Sequence, residues 1–319
     1  MRKNVRVITD DELKKRLTTK FSSFISLEDI QELTEGAYAH NSMLAMRKDW
    51  NLFVEFCQSR HVRPLPGSST AIRLFLEKES KQRKLSTLKR YSVTISLIHR
   101  ILTDSDPTST VAVRTTLSQL RISKNQDATS TTAFTRAHLE SIADKQIHST
   151  QLTHIRNLAI YFVMFECMLK RSELKNLAYS DLVFGKDDEI LVRVSSNHYS
   201  LSLQAIACLK KWLNYRGVNE GTLFCAIDKH GNLNSTPLDD SSIYRILRAA
   251  SDKLGLDFKF SGQSLRVGAV AEMADKGLKV REIQHFGRWQ SAAMPYQYLG
   301  NRTQAAAERL TFKSFKPWS

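Results

Sequence analysis

Apolar positions recur at helical spacing through most of the chain, and the places where that spacing fails divide it. From Phe21 to about Arg121 the rhythm is helical. The stretch Leu44–Cys57 sets Leu44, Trp50, Phe53, Val54 and Cys57 near one face, with Asn41 or Ser42 as its N-cap. Pro64-Leu65-Pro66-Gly67 breaks the chain, and Thr70–Glu79 predicts the next helix. Ser86–Leu102 is the clearest amphipathic segment. Leu88, Tyr91, Ile95, Ile98 and Leu102 form its apolar face, while Lys81, Arg83, Lys84, Lys89, Arg90 and Arg100 surround it.

Between Ser123 and Thr132 the sequence SKNQDATSTT loses all apolar periodicity, which marks a domain boundary. Thr135 caps a new helix, and a long apolar helix is expected from Ile155 to Leu177. Glu189–Val194 and Tyr199–Leu203 alternate apolar and polar residues and predict a hairpin turning through Ser195-Ser196-Asn197-His198. Further helices are expected at about Gln204–Tyr215, Ser241–Leu254, Ser264–Lys276, Val280–Phe286 and Gln304–Leu310. Residues 1–20 are charged throughout and form either one short helix or an arm. The resulting expectation is a mainly α protein. It has an N-terminal arm (1–20), a helical domain (21–122), a linker (123–132) and a mostly helical domain with one small antiparallel sheet (133–319).

Composition narrows the partner. A net charge of +15 over 319 residues, with 42% hydrophobic content, describes a globular protein suited to a polyanion. Phosphate neutralisation releases condensed counterions, so nucleic acid is the expected ligand, bound specifically or not. Cys57, Cys167, Cys208 and Cys225 are widely spaced, and three lie in apolar runs. They read as buried thiols of a reducing compartment, without a metal site. Neither a signal peptide nor a membrane-length apolar run is evident, so a soluble cytoplasmic protein is expected.

The chemistry sits near the end of the chain. Ser261-Gly262-Gln263-Ser264-Leu265-Arg266-Val267-Gly268-Ala269 is followed by Gly287-Arg288-Trp289 and, nine residues after the tryptophan, by Tyr298. Gln263 and Arg266, three apart at a helix start, lie on one face and converge on one anion. This constellation resembles the active-site half of the tyrosine recombinases, within them the Cre-type enzymes. The likeness extends over Ile155-Arg156-Asn157-Leu158-Ala159 and Leu169-Lys170-Arg171-Ser172-Glu173-Leu174, and more weakly over residues 20–122.

The resemblance implies a role for each position. Tyr298 is the nucleophile, with Tyr296 as its rival, and Pro295 suits the first turn of the helix that carries it. Arg266 is the second phosphate-gripping arginine, and Trp289 is a hydrogen-bond donor and packing element. Three positions depart from the family pattern. Anchored on Glu173 and Leu174, Lys170 stands where the first arginine is usual, keeping the charge but not the bidentate fork. Arg171 is either a substitute for it or part of a basic surface pair. Gln263 replaces a histidine and can donate a hydrogen bond but not exchange a proton. His198 falls at the place of the hairpin lysine that protonates the leaving oxygen, and is either that acid or an incidental surface histidine.

The activity so implied is site-specific recombination through a 3′-phosphotyrosyl intermediate, for integration, excision or resolution, with no cofactor or metal. The alternative is a weakened or inactive relative that binds DNA sequence-specifically. The implied partners are double-stranded DNA with paired sites, contacted by Lys84, Lys89, Arg90, Arg171 and Arg288, and further copies of the chain making a tetramer on DNA. A phage, plasmid or other mobile element is the usual setting of the family. Phe312, Phe315 and Trp318 make the C-terminal tail either a dock for a neighbouring subunit or a helix folded back on its own domain.

Overall fold

Two hydrophobic cores organise the chain, one built from residues up to 130 and the other from residue 131 on. The computed structural model describes residues 8–103, 105–124, 131–186 and 188–314. Residues 125–130 of the linker expected at 123–132, the first seven residues and the tail aromatics Phe315 and Trp318 lie outside these.

The first unit is all helical: α1 (Asp11–Phe21), α2 (Leu27–Leu33), α3 (His40–Ser59), α4 (Ser69–Ser80), α5 (Leu85–Leu102) and α6 (Val111–Ser123). Its core is the aromatic group Phe21, Trp50, Phe53 and Phe75, all fully buried, with Leu88, Ile95 and Ile98 from the apolar face of α5. The Trp50 indole N–H donates to the Phe21 carbonyl at 3.1 Å, so the buried ring carries no orphan donor. α3 starts at His40 behind an Ala39 N-cap without a side-chain bond, so Asn41 and Ser42 sit inside the helix rather than capping it. Burial of Met43 on the core side of that first turn outweighs the capping preference. Asp49, 1% exposed, accepts two hydrogen bonds from the Arg90 guanidinium at 2.8 Å each. A buried carboxylate needs such a partner.

The second unit wraps helices around α8 (Leu152–Glu166), in which every residue from Ile155 to Phe165 is buried. A helix hydrophobic all round belongs in the middle of a core. α7 (Arg136–Gln146) precedes it, capped by Thr135 as expected. The long helix anticipated to Leu177 instead stops at Glu166. Met168 takes a positive φ of 48°, and a separate short helix α9 (Arg171–Asn176) follows. Glu173 explains the restart, because its carboxylate accepts the backbone N–H of Lys170, the N-cap, at 2.7 Å.

β1 (Leu182–Phe184), β2 (Ile190–Val194) and β3 (Asn197–Ser200) form an antiparallel sheet in that order. A second, two-stranded sheet, β4 (Cys225–Ile227) with β5 (Leu233–Pro237), was not foreseen, since β5 is exposed along its whole length and shows no alternation. α10 (Leu203–Arg216), α11 (Asp240–Leu254), α12 (Gly262–Asp275), α13 (Val280–Phe286), α14 (Ala293–Tyr298) and α15 (Arg302–Ser314) complete the unit. α12 packs so closely on Phe134 that a Cβ on Gly268 would stand 1.7 Å from the Phe134 carbonyl oxygen. Only glycine allows this approach.

Between the two expectations for the tail, the described part of α15 lies on its own unit. Glu308 pairs with Arg281 at 3.0 Å, Arg309 donates to Gln297, and Ala305 is 1% exposed. All four cysteines are free and buried, and burial pushes the thiols of Cys57 and Cys208 up to about 12 and about 11. Among the described residues no helix is long and apolar enough to cross a membrane.

Candidate active site

Three segments distant in sequence meet at the start of α12. Ser261 caps that helix by accepting the Ser264 N–H at 3.3 Å, which directs the first turn toward a cleft of about 530 Å3. Lys170, Gln263, Arg266, Trp289 and Tyr298 line this cleft, together with Arg171. Ser261, Gly262, Tyr244 and Met294 complete its wall.

Arg266 forms the floor and is 4% exposed. Its Nη1 donates to the Met168 carbonyl at 3.0 Å and its Nη2 to the Gly287 carbonyl at 2.7 Å. Each terminal nitrogen uses one hydrogen on a carbonyl and keeps a second, so the guanidinium is oriented without being exhausted. The Trp289 ring lies over it at 4.3 Å from its central carbon, a cation–π contact in a desolvated place. Burial, then the neighbouring Arg288, lowers the Arg266 pKa. The Gly287-Arg288-Trp289 spacing has a steric reason, since a Cβ on Gly287 would stand 1.9 Å from the Trp289 ring.

Tyr298 closes the other side, its ring edge-on to Trp289 at 5.7 Å and 77°. Burial pushes its phenol pKa up, while Gln263 and the Arg266 cation pull the other way. Pro295 sits in the first turn of α14, which holds the tyrosine. Tyr296, two residues earlier, does not line the cleft.

Glu173 lies behind the cleft wall and binds cations from two sides. It accepts from Arg288 at 2.8 and 3.2 Å and pairs with Lys170 Nζ at 3.2 Å. Burial alone would raise its pKa, but the Arg288 and Lys170 contacts outweigh it and hold the carboxyl at about 2. Lys170 itself is half exposed, sits at the N-cap of α9 and lines the cleft while its ammonium is paired with Glu173.

Two expected residues are elsewhere. His198 is not in the turn, which is Ser195-Ser196 with Ser195 at φ 56°. It lies on β3 opposite Arg193, exposed, and does not line the cleft. The pleat explains this. Tyr199, 2% exposed, must face the core, and its neighbour therefore faces away. Arg288, expected on DNA, is instead turned inward, with its side chain 10% exposed and held by internal acceptors. Lys84 and Lys89 are exposed on the first unit, and Arg90 is half exposed while held by Asp49.

The sequence reading missed Tyr244. The signal was an aromatic on the polar face of α11 with an arginine four residues on, and Arg248 does stack on it at 5.2 Å and donate to its hydroxyl at 2.9 Å. No group of three or more His, Cys, Asp or Glu among the described residues is placed to hold a metal ion. The cleft is thus a set of cations and neutral donors around a half-buried phenol, an arrangement fitted to a phosphate diester and a nucleophilic oxygen.

Comparison with known proteins agrees with this chemistry. The model of the phage integrase family matches residues 132–305. The chain is 26% identical over 283 residues to an integrase/recombinase xerD homolog of Selenomonas ruminantium, covering 83% of each. It is 22% identical over 320 residues to the recombinase Cre of Escherichia phage P1, covering 92% of this chain and 90% of that protein. Among solved structures it resembles the XerH site-specific recombinase bound to palindromic difH substrate, with TM-score 0.65, 13% identity, and 98% and 100% of the two chains covered. It also resembles a lambda integrase dimer bound to a COC′ core site, with TM-score 0.59, 14% identity, and 92% and 82% covered. At these identities the structures establish the shared fold.

Proposed function

The chain belongs to the phage integrase family, and we propose that it is a site-specific DNA recombinase using Tyr298 as its nucleophile. The phenolic oxygen attacks the scissile phosphorus as the bond to the 5′ oxygen breaks. This leaves a 3′-phosphotyrosyl link and a free 5′ hydroxyl: the phenol gives up its proton to solvent, and the departing 5′ oxygen takes one from the Lys170 ammonium, which solvent reprotonates. A 5′ hydroxyl from a partner duplex then attacks that link and restores the tyrosine. The covalent link conserves the bond energy, so the exchange needs no nucleotide.

The observation that carries the reading is the convergence of Arg266, Trp289 and Tyr298 in one cleft. Arg266 stabilises the negative charge that grows on the non-bridging oxygens, in a position prepared by two carbonyls and a ring. Gln263, at the helix N-terminus, adds a neutral donor. Lys170 is the cation within reach of the departing 5′ oxygen, and Arg171 a second one for the flanking phosphate. Lys84 at the N-cap of α5 and Lys89 and Arg90 on it, with Tyr244 and Arg248 on α11, contact the duplex. His198 has no place in this scheme, because it lies exposed on β3 and does not line the cleft. Paired sites would be joined in a tetramer in the cytosol, on DNA of a mobile element.

A nicked duplex that loses its 5′ fragment on cleavage tests the reading. A covalent protein–DNA adduct present in the wild type and absent in Tyr298→Phe supports it. Sequence-specific binding without any adduct would favour a DNA-binding relative that has lost the chemistry.

A further inference from the structure

Arg288 is the most heavily engaged side chain near the cleft, yet it does not line it. Its backbone adopts φ 57°, the left-handed region that β-carbon-bearing residues occupy at a cost. Its guanidinium has five N–H donors, and all of them find internal acceptors. Nε donates to Glu173 Oε1 at 3.2 Å, and Nη2 to Glu173 Oε2 at 2.8 Å and the Met168 carbonyl at 2.9 Å. Nη1 donates to the Cys167 carbonyl at 3.1 Å, the Phe286 carbonyl at 3.3 Å and the Tyr199 hydroxyl. No donor remains for a phosphate.

Each acceptor bears on a residue of the cleft. The Met168 carbonyl is the same oxygen that accepts from Arg266 Nη1. Glu173 holds both the backbone N–H and the ammonium of Lys170. Tyr199 ties the β-sheet to the end of α13 through the Phe286 carbonyl at 2.7 Å. One planar cation therefore fixes the chain turn after α8, the start of α9 and β3 relative to the segment that carries Trp289.

We infer that Arg288 is a positioning residue of the recombination site. It holds the Met168 carbonyl and Glu173 so that Arg266 and Lys170 present their charges to the scissile phosphate, and it does not contact DNA. This rests on the proposed function only for the identity of the ligand. A lysine supplies the charge but not the planar fork, so it replaces Arg288 only in part.

The test compares wild type, Arg288→Gln and Arg288→Lys on the nicked duplex. It measures the rate of adduct formation at saturating DNA, and separately the affinity and its dependence on salt. Displacing oriented groups by about an ångström costs on the order of 10²-fold in rate. Arg288→Gln is expected to lose about that much at saturating DNA, with Arg288→Lys intermediate. Both should keep the wild-type salt slope. Adding Glu173→Gln to Arg288→Gln should cost little more, because the two act through one contact.

A wild-type rate in Arg288→Gln overturns the inference. So does a salt slope reduced by about one, the mark of a lost phosphate contact. If Arg288→Gln does not fold, Arg288→Lys decides by the same two readings. If the wild type forms no adduct, the proposed activity fails by itself. The salt slope then decides for Arg288, an unchanged slope supporting an internal role and a reduced one refuting it.

Discussion

Replacing Glu173 by glutamine should reveal how much of the fold around the cleft rests on one ionised carboxylate. The side chain is 17% exposed and takes two hydrogen bonds from Arg288 and one from the Lys170 backbone, at 2.8, 3.2 and 2.7 Å. These contacts hold its pKa at about 2, against an ordinary carboxylate value of about 4. The folded state is therefore favoured fully above the unfolded pKa, and the advantage is lost as pH falls through about 2. At about 1.4 kcal/mol for each tenfold change in proton affinity, the contribution at neutral pH is about 3 kcal/mol. Glutamine preserves the shape but leaves Arg288 buried without its counter-charge. Urea titrations of wild type and Glu173→Gln at pH 7 should differ by about 3 kcal/mol, and the difference should shrink as pH falls from 5 toward 2. A difference under about 1 kcal/mol at pH 7, or one that stays constant on acidification, would refute the assignment of that stability to the ionised pair.

Other substitutions probe other links. Gly268→Ala places a methyl 1.7 Å from the Phe134 carbonyl oxygen, so α12 must shift; thermal melting should show a loss of about 1–3 kcal/mol or more, and an unchanged melting temperature contradicts the packing described. Gly287→Ala drives a methyl into the Trp289 ring; it should slow adduct formation at saturating DNA about 10²-fold while binding persists, and equal rates would mean that the indole position is irrelevant. Lys170→Arg combined with Gln263→His should raise the cleavage rate, by about 10²-fold for each substitution that restores a stabilising donor; no gain counts against the alignment of these two positions. The raised pKa of Tyr298 keeps the phenol protonated through neutral pH. Adduct formation should therefore climb with pH from 7 to 9, and a flat profile would show that loss of the phenolic proton is not part of the slow step.

The amphipathic helices were legible because burial repeats along them: α5 and α13 lie within a residue of their expected limits. The long helix from Ile155 was overextended for the same reason. Apolar residues continue through Met168 and Leu169, and nothing local announces that Met168 turns to φ 48°. The break is set by Glu173 reaching back to Lys170 and by Arg288 reaching from 115 residues away. His198 was expected in the turn because alternation does not mark where pairing ends; the pairing runs on to Val194 opposite Asn197, with Tyr199 entering the core, and leaves Ser195-Ser196 as the turn. For Arg288, charge alone does not say which way an arginine faces; its partners are Glu173, 115 residues away, Tyr199 and three backbone carbonyls, and the carbonyls carry no sequence signal. The convergence of Lys170, Gln263, Arg266, Trp289 and Tyr298, by contrast, was visible in their order and spacing.

The account turns on whether the oxygen of Tyr298 becomes bonded to DNA. Wild-type protein should be incubated with a nicked duplex carrying its recombination site, denatured, digested with protease and the DNA-linked peptide sequenced by mass spectrometry. The expected product is a peptide joined through Tyr298 to a 3′ phosphate, absent when Tyr298 is phenylalanine. A linkage at Tyr296 or elsewhere, or specific binding with no covalent product over long incubation, would contradict it.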